Sequence, residues 1–403
     1  MGKAEGDEPT RKREPLAKLI QGGELYCPDY RGRGDILVVG GMIARIAPHI
    51  PAPKDFLELE IVPAVDKIVA PGFIDQHVHM IGAGGSAGPV SRTREIKIQQ
   101  IVQAGVTTAV GVLGLDDITM DLKRLLVKAQ ALERQGITTF IYTGAYVMPS
   151  PTLTGNIEAD IVLISKVVGV KLGLGEASST FPAEQEIKDL ITSARRGGIL
   201  SGKAGIVHIH MGPNPGDYYR GVEKILRETM IPISQVVFTH SGRSSSIFEG
   251  AVDFAKKGGL VDVTAVQNPD FQPERVAGGL KKPCRAIEEM LNAGIAEDQI
   301  TLSSDSNAGG MGPNGKLRYT SIQDLHKEFR DIALGLRNLS LALKMITLNP
   351  ARRLGLVSYK GTLDEGKDAD LLIFDRDLQI QDVYARGKLM VKEGNAVLKD
   401  PFE

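Results

Sequence analysis

The middle of the chain alternates short apolar segments with longer amphipathic ones, and this alternation limits its possible folds more than any other feature. Eight apolar segments are typical of buried strands: 68–79, 107–114, 138–146, 167–175, 206–212, 234–240, 260–266 and 299–306. Amphipathic segments between them, such as 121–136 and 184–198, predict helices, and glycines predict several helix ends: Gly105, Gly136, Gly198 and Gly294. Eight strands alternating with helices over about 290 residues predict a (β/α)₈ TIM barrel of the α/β class.

A doubly wound open sheet is the competing fold class. The chain has no G-x-G-x-x-G motif that opens a helix after the first strand, which disfavours that class. Short apolar segments with Gly and Pro between them recur at both chain ends, at 19–26, 35–48, around Ile61 and at 367–397. We therefore expect two domains, a small discontinuous β-sandwich domain (1–65 plus 356–403) and the barrel (66–355).

Charge and composition exclude several classes of protein. Lys and Arg (48) nearly balance Asp and Glu (49), which disfavours a nucleic-acid-binding face. No run approaches the roughly 18 apolar residues of a membrane helix. The two cysteines, Cys27 and Cys284, are too few for a disulfide framework. The sequence thus predicts a cytoplasmic enzyme for a small-molecule substrate, with no nucleic-acid or membrane partner.

The histidines follow the predicted strand ends. His77 and His79 are two residues apart on the first strand, so their side chains share a face. His210, His240 and Asp305 end the fifth, sixth and eighth strands. A single strand-end histidine is more often structural than a ligand, but in a barrel all these ends form one rim, where catalytic residues lie. Four imidazoles and a carboxylate on one rim predict a metal site.

Lys171 interrupts the apolar fourth strand, where an unpaired ammonium would be costly to bury. One interpretation is a partly exposed lysine paired with a carboxylate such as Glu176. The other is that Lys171 reacts with CO₂ to form a carbamate, an anionic bridge between two divalent ions such as zinc. Two such ions hold a bridging hydroxide at neutral pH and polarise a substrate carbonyl.

Several motifs carry a resemblance to a known family. The motifs PGFIDQHVHM (71–80), NPARRLGL (349–356) and GTLDEGKDADLLIFD (361–375) resemble the amidohydrolase superfamily. More narrowly, AGPVSRTREI (87–96), YTGAYVMPS (142–150) and TLSSDSN (301–307) make the chain similar to bacterial isoaspartyl (β-aspartyl) dipeptidases. The likeness runs over nearly the whole chain, which makes it far more specific than an isolated H-x-H.

The resemblance implies a ligand set and a mechanism. His77, His79 and Asp305 would bind one metal ion, His210 and His240 would bind a second, and Lys171, carboxylated, would bridge them. Asp305 would take a proton from the bridging hydroxide as it attacks and deliver it to the leaving amine. Tyr146 would hydrogen-bond the carbonyl oxygen as it becomes an oxyanion, although its position also suits a structural aromatic residue. Arg243 would bind the substrate α-carboxylate as a bidentate pair.

The substrate-binding positions depart from the family pattern. The family has a glutamate for the substrate α-amino group where this chain has Ser86, and a second arginine where it has Ser178. Leu115 and Gly309 replace a family threonine and serine. Gly84, in the loop before Ser86, is a further expected substrate contact. Glu176 or Arg92 could substitute for the missing charged groups. Loss of an anion that pairs an ammonium weakens binding of a free amino terminus.

We therefore expect a binuclear metal-dependent amide hydrolase that cleaves isoaspartyl dipeptides by attack of a metal-bridging hydroxide. Ser86 and Ser178 motivate an alternative with the same mechanism and another small carboxylate-bearing amide: an N-acyl amino acid, a cyclic amide or a modified dipeptide. A non-catalytic relative is the third possibility, disfavoured because every expected ligand is present. The resemblance also implies a homo-oligomer. His208, two residues before His210, either contacts the site or packs in the core.

Overall fold

The computed structural model describes residues 15–52, 58–265, 281–311 and 316–398. Three segments of the predicted small domain, 1–14, 53–57 and 399–403, lie outside the described residues. Within the described ranges, no helix combines the length and the apolar character needed to cross a membrane.

The two chain ends build one mixed nine-stranded sheet. Strands β1–β5 are Ala17–Tyr26, Tyr30–Val39, Met42–Ala47, Leu59–Pro63 and Ile68–Pro71, and strands β16–β19 are Leu371–Phe374, Ile380–Ala385, Lys388–Lys392 and Asn395–Ala396. The antiparallel pairing of β5 with β16 joins the two ends. Alternate residues such as Ile20, Ile36 and Leu371 form a separate apolar core on this sheet. This sheet is consistent with the predicted β-sandwich from both ends.

The middle of the chain forms an eight-stranded parallel sheet in sequence order, which confirms the predicted TIM barrel. Its strands β6–β13 are Phe73–Val78, Val106–Gly111, Thr138–Gly144, Val167–Leu174, Ile206–Met211, Val236–Thr239, Leu260–Thr264 and Ile300–Ser303. A parallel bridge between Val78 and Ser306 connects the last strand region to the first and nearly closes the barrel. The backbone N–H of His79 also donates to the Ser306 carbonyl at 3.1 Å.

Helices surround the barrel. Helices α1–α10 are Ile98–Gln103, Leu122–Gln135, Ile157–Leu163, Glu184–Ser201, Tyr218–Thr229, Ser245–Lys256, Pro283–Asn292, Gln323–Gly335, Leu339–Ile346 and Leu348–Arg353. Short 3₁₀ turns lie at Pro89–Ser91, Ile233–Gln235 and Glu297–Gln299, and a hairpin follows the last barrel strand (β14, Gly309–Met311; β15, Leu317–Tyr319). The predicted helix end at Gly198 is wrong. Helix α4 continues to Ser201 and is capped by left-handed Gly202, while a Cβ at Gly198 would lie 2.9 Å from the Gly205 Cα, so this glycine allows close packing.

The first predicted barrel strand, 68–79, is two strands in the structure. The chain leaves the end sheet at Gly72, whose N–H donates to the Asp370 carbonyl at 2.8 Å, and enters the barrel at Phe73. A Cβ at position 72 would lie 2.2 Å from the Thr107 hydroxyl oxygen, so only glycine fits this crossing. Apolar periodicity cannot reveal the break because both strands are buried on both faces. The domain limits at 65/66 and 355/356 stay a proposal.

Asp262 of β12 ties three of the strands that carry or precede the rim residues. Its carboxylate, fully buried in the barrel, accepts hydrogen bonds from four donors on β6, β11 and β13: Gln76 (2.7 Å), Thr239 (2.7 Å), Thr301 (2.6 Å) and Ser303 (2.6 Å). Burial raises the pKa of Asp262, against the lowering effect of the hydrogen bonds from Ser303, Thr301 and Thr239. The group is thus an interior cross-link between first and last strands.

Replacing Asp262 with alanine should lower the free energy of unfolding by about 3 kcal/mol, because buried donors lose their acceptor. Chemical denaturation followed by circular dichroism measures this loss. Asp253→Ala, at an exposed carboxylate on α6, is the matched control and should change it by under about 0.5 kcal/mol. Equal stability of the two variants would contradict the cross-linking role.

Candidate metal centre

Three buried groups meet where the first and last barrel strands end. His77 lies in β6, His79 directly follows it, and Asp305 follows β13 in a left-handed conformation with φ of 49°. Asp305 Oδ1 lies 3.2 Å from His79 Nε2 and 3.3 Å from His77 Nε2. One potential ligand atom from each residue lies within 4.8 Å of the other two. This cluster could hold a metal ion.

A second pair of imidazoles lies beside this cluster. His210, on β10, points its Nδ1 at His240 Nε2, which follows β11, at 2.8 Å. Both rings are buried. The other ring nitrogen of His240 contacts the Thr264 hydroxyl at 2.7 Å, which turns Nε2 towards His210. Thr264, at the end of β12, was not singled out in the sequence because threonine is an ordinary strand residue.

Lys171 enters this group from β9 and is fully buried. Its ammonium nitrogen lies 3.3 Å from His77 Nε2 and donates to the Leu113 carbonyl at 2.7 Å. The interpretation that Lys171 pairs with Glu176 finds no support in these contacts, since Glu176 Oε2 instead lies 3.4 Å from His210 Nε2. Burial lowers the pKa of Lys171 to about 7, so a large fraction of this amine is neutral at physiological pH.

The electrostatics of the cluster favour a carboxylate and neutral rings. Burial, and then the charge of Lys171, lower the pKa values of His77 and His79. Burial would raise the pKa of Asp305, but the His79 hydrogen bond and the charges of Arg243 and Lys171 lower it overall. Near neutral pH, Asp305 is thus anionic and the imidazoles keep lone pairs for a metal ion.

Two further predicted residues reach the second imidazole pair. The Tyr146 hydroxyl lies 2.9 Å from His210 Nδ1. The Arg243 guanidinium lies 3.2 Å from His210 Nε2 and 3.8 Å from Asp305 Oδ2. Burial lowers the pKa of Arg243, yet a guanidinium stays protonated in proteins. Around His210, the site therefore combines the phenol of Tyr146, the fixed positive charge of Arg243 and the carboxylate of Glu176.

The predicted loop residues lie farther out or act in packing. Gly84, with φ of +95°, would place a Cβ 2.2 Å from the Ser91 carbonyl oxygen in the same loop, and a Cβ at Gly309 would lie 2.6 Å from Thr93 Cγ2. Gly84 thus lets the loop after β6 fold closely on itself, and Gly309 lets the β14–β15 hairpin pack closely on that loop. Ser86 and Ser178 are exposed, and within the described ranges no hydrogen bond joins either serine to the cluster. Arg92 donates to Asp116 at 2.7 Å.

His208 belongs to the site, which sequence reasoning left open. Its Nε2 lies 2.9 Å from His77 Nδ1. The two-residue spacing to His210 did place both side chains on the inner face of the strand. Only the structure shows that β10 brings His208 against a histidine of β6, four strands away along the chain.

The donor set fits a zinc-type ion. Two neutral imidazoles and a carboxylate converge in a buried site, and this is a common ligand combination for zinc. His210 and His240 add two nitrogens next to it, and Lys171 lies against His77. These residues offer enough ligands for a second ion if the lysine gains an anionic group.

Comparisons with known proteins agree with this geometry. A profile of the amidohydrolase family matches residues 68–390. The crystal structure of a beta-aspartyl dipeptidase from Fervidobacterium islandicum AW-1, in complex with β-Asp-Leu, is 34% identical with a TM-score of 0.87, covering 96% of this chain and 100% of that one. Dihydroorotase from Pelotomaculum thermopropionicum is 24% identical over 89% of each chain. Dihydropyrimidinase 1 from Caenorhabditis briggsae is 35% identical over 92 residues, which are 23% of this chain but only 18% of that protein.

Proposed function

Because the chain belongs to the amidohydrolase family, we propose that it is a binuclear metal-dependent amide hydrolase that cleaves β-aspartyl dipeptides. The family and its hydrolase relatives support a metal-dependent hydrolase of C–N bonds. The observation that carries the proposal is the convergence of His77, His79 and Asp305 in a buried cluster at the rim of the barrel. The full-length similarity to a dipeptidase solved with β-Asp-Leu supports the substrate class.

His77, His79 and Asp305 would hold one ion, and His210 and His240 the other, with Lys171 between them. When bound, two divalent ions such as zinc supply an activated water at neutral pH and Lewis acidity at the scissile carbonyl. The protein keeps these groups buried, which strengthens each electrostatic interaction with the substrate.

Lys171 would serve as a carbamate. Its buried amine, with a pKa of about 7, has the neutral fraction that attack on CO₂ requires. The nitrogen lone pair forms a bond to the CO₂ carbon and one N–H proton leaves to solvent, so the ammonium position becomes an anionic carboxylate. This change also removes a cation from its position 3.3 Å from His77.

Asp305 would move the proton in the reaction. Its carboxylate is anionic at neutral pH, so it accepts a proton during attack and returns it to the leaving amine. Tyr146 would donate its hydroxyl proton in a hydrogen bond to the carbonyl oxygen as negative charge develops there. Arg243, next to both Asp305 and His210, would hold the substrate α-carboxylate.

Arg243→Ala should raise KM for a dipeptide by about 10–100-fold, since one charge-assisted bidentate contact is lost. Steady-state kinetics together with metal analysis by mass spectrometry measure the effect. Arg196→Ala, at an exposed arginine on α4, is the control and should leave KM unchanged. If Arg243→Ala loses bound metal in proportion to the rise in KM, the substitution has damaged the metal site, and this result would contradict the carboxylate-binding role.

The substrate proposal is tested by the hydrolysis rate of β-Asp-Leu by zinc-loaded protein supplied with bicarbonate, with α-Asp-Leu measured beside it. Faster cleavage of the β-linked peptide is expected. It would mean that another group replaces the family glutamate at Ser86 in binding the α-amino group. Glu176 is the candidate replacement, because its carboxylate and the Arg243 guanidinium both contact His210 Nε2.

No cleavage by protein that holds two ions would favour the second candidate. Ser86 and Ser178 are exposed and uncharged where the family has charged substrate contacts. The substrate would then be a small carboxylate-bearing amide without a free α-amino group, such as an N-acyl amino acid or a cyclic amide. Protein that cannot take up metal at all would support a non-catalytic relative.

A further inference from the structure

His208 lies in the barrel interior with no exposed surface. Its ring stacks on Tyr142 with centroids 5.1 Å apart and an interplanar angle of 17°. Its Nε2 lies 2.9 Å from Nδ1 of His77, which is also fully buried. The His208 ring is therefore held by the Tyr142 ring on one face and by the hydrogen bond to His77 at its edge.

The direction of this hydrogen bond decides what His77 can do. His77 Nε2 faces the cluster, 3.3 Å from Lys171 Nζ and 3.3 Å from Asp305 Oδ1. A neutral imidazole that offers its Nε2 lone pair to an ion must carry its proton on Nδ1. That proton then points at His208 Nε2, so His208 has to be the acceptor. We propose that His208 is a positioning residue that holds His77 in the Nδ1-protonated tautomer and fixes its ring.

The acceptor role of His208 leaves one of its own ring nitrogens unpaired in the described part of the barrel interior. If His208 accepts at Nε2, its own proton lies on Nδ1, and this buried nitrogen has no hydrogen-bond partner among the described residues. A buried unpaired N–H is unfavourable. An apolar aromatic side chain stacked on Tyr142 would avoid it, so the imidazole is explained by what it does for His77.

His240 shows the same arrangement with a different partner. Its Nδ1 meets the Thr264 hydroxyl, and its Nε2 faces His210. Such outer contacts orient ligand rings and increase metal affinity. At His77 a second imidazole takes the place of the hydroxyl.

The test compares His208→Phe, which keeps the stack on Tyr142, with His208→Gln, which keeps a hydrogen-bond acceptor. Chelator competition with Zn²⁺ should show about 10–100-fold weaker metal binding in His208→Phe, with most of that loss recovered in His208→Gln. The visible absorption spectrum of Co²⁺-loaded protein should change only in His208→Phe. His326→Phe is the control, because it removes a histidine that hydrogen-bonds the Leu378 carbonyl away from the site.

The inference rests on the metal-binding part of the proposed function, and the outcomes separate the two. Wild-type protein that takes up no metal contradicts the proposed function itself. Wild-type binding with equally tight binding by His208→Phe overturns only the role of His208. A lower thermal midpoint of metal-free His208→Phe with unchanged metal affinity also overturns it. If His208→Phe does not fold, His208→Gln decides, and weak Zn²⁺ binding by folded His208→Gln rejects the proposal.

Discussion

Asp305→Asn should lower kcat for dipeptide hydrolysis by about 10³–10⁴-fold, the upper range for loss of a general acid–base group. Asparagine has nearly the same shape but cannot take up a proton. The carboxylate it replaces lies 3.2 Å from His79 Nε2 and 3.3 Å from His77 Nε2. The environment also keeps it anionic, since the His79 hydrogen bond and nearby cations hold its pKa low despite burial. Its position suits both metal binding and proton transfer.

Kinetics and metal analysis of the same Asp305→Asn sample separate those two roles. A loss of kcat with two ions retained supports proton transfer by Asp305. A parallel loss of one ion supports only a ligand role. Asp253→Asn, at the exposed carboxylate on α6, is the matched control and should keep wild-type kcat. Wild-type kcat in Asp305→Asn would contradict the mechanism outright.

Lys171→Ala should lower kcat by about 10²–10³-fold, the scale of losing one electrostatic contributor in a buried site. The variant leaves a space where the side chain entered between His77 and the Leu113 carbonyl. A short carboxylic acid such as acetate or propionate should occupy this space and supply the missing anion. Activity should therefore return in part as the acid concentration is raised.

Metal content gives a second measurement for Lys171→Ala. The number of bound ions should fall in the variant and rise again with the acid. Lys166→Ala is the control, since Lys166 bonds the Thr139 carbonyl on the neighbouring strand, and the acid should not affect it. Full metal content and full activity of Lys171→Ala without acid would reject the bridging carbamate.

Most of the fold was predictable because strand and helix periodicities differ. Two-residue alternation placed His77 with His79 and His208 with His210 on inner faces. The confirmed TIM barrel then brings all strand ends to one rim, which explains why ligand-type residues scattered from 77 to 305 meet. Their catalytic roles stay predictions, as do a homo-oligomeric state and a cytoplasmic location.

Contacts between strands distant in sequence were not predictable. Periodicity gives the face of a side chain but not the angle of its ring, so the hydrogen bonds of His77 with His208 and of His240 with Thr264 follow only from the three-dimensional structure. The break at Gly72 was hidden because both adjoining strands are apolar throughout. The predicted helix end at Gly198 is wrong because sequence alone does not distinguish a glycine that permits close packing from a glycine that ends a helix.

The cluster spans the seam of the barrel. His79 and Asp305 are 226 positions apart in sequence, and they flank the bridge between Val78 and Ser306 that joins the first and last strand regions. A nascent chain that stops before residue 305 has only part of the cluster, so tight ion uptake would mark the end of barrel assembly. Once bound, an ion there would oppose opening of the seam, because binding to the closed form alone draws the equilibrium towards it.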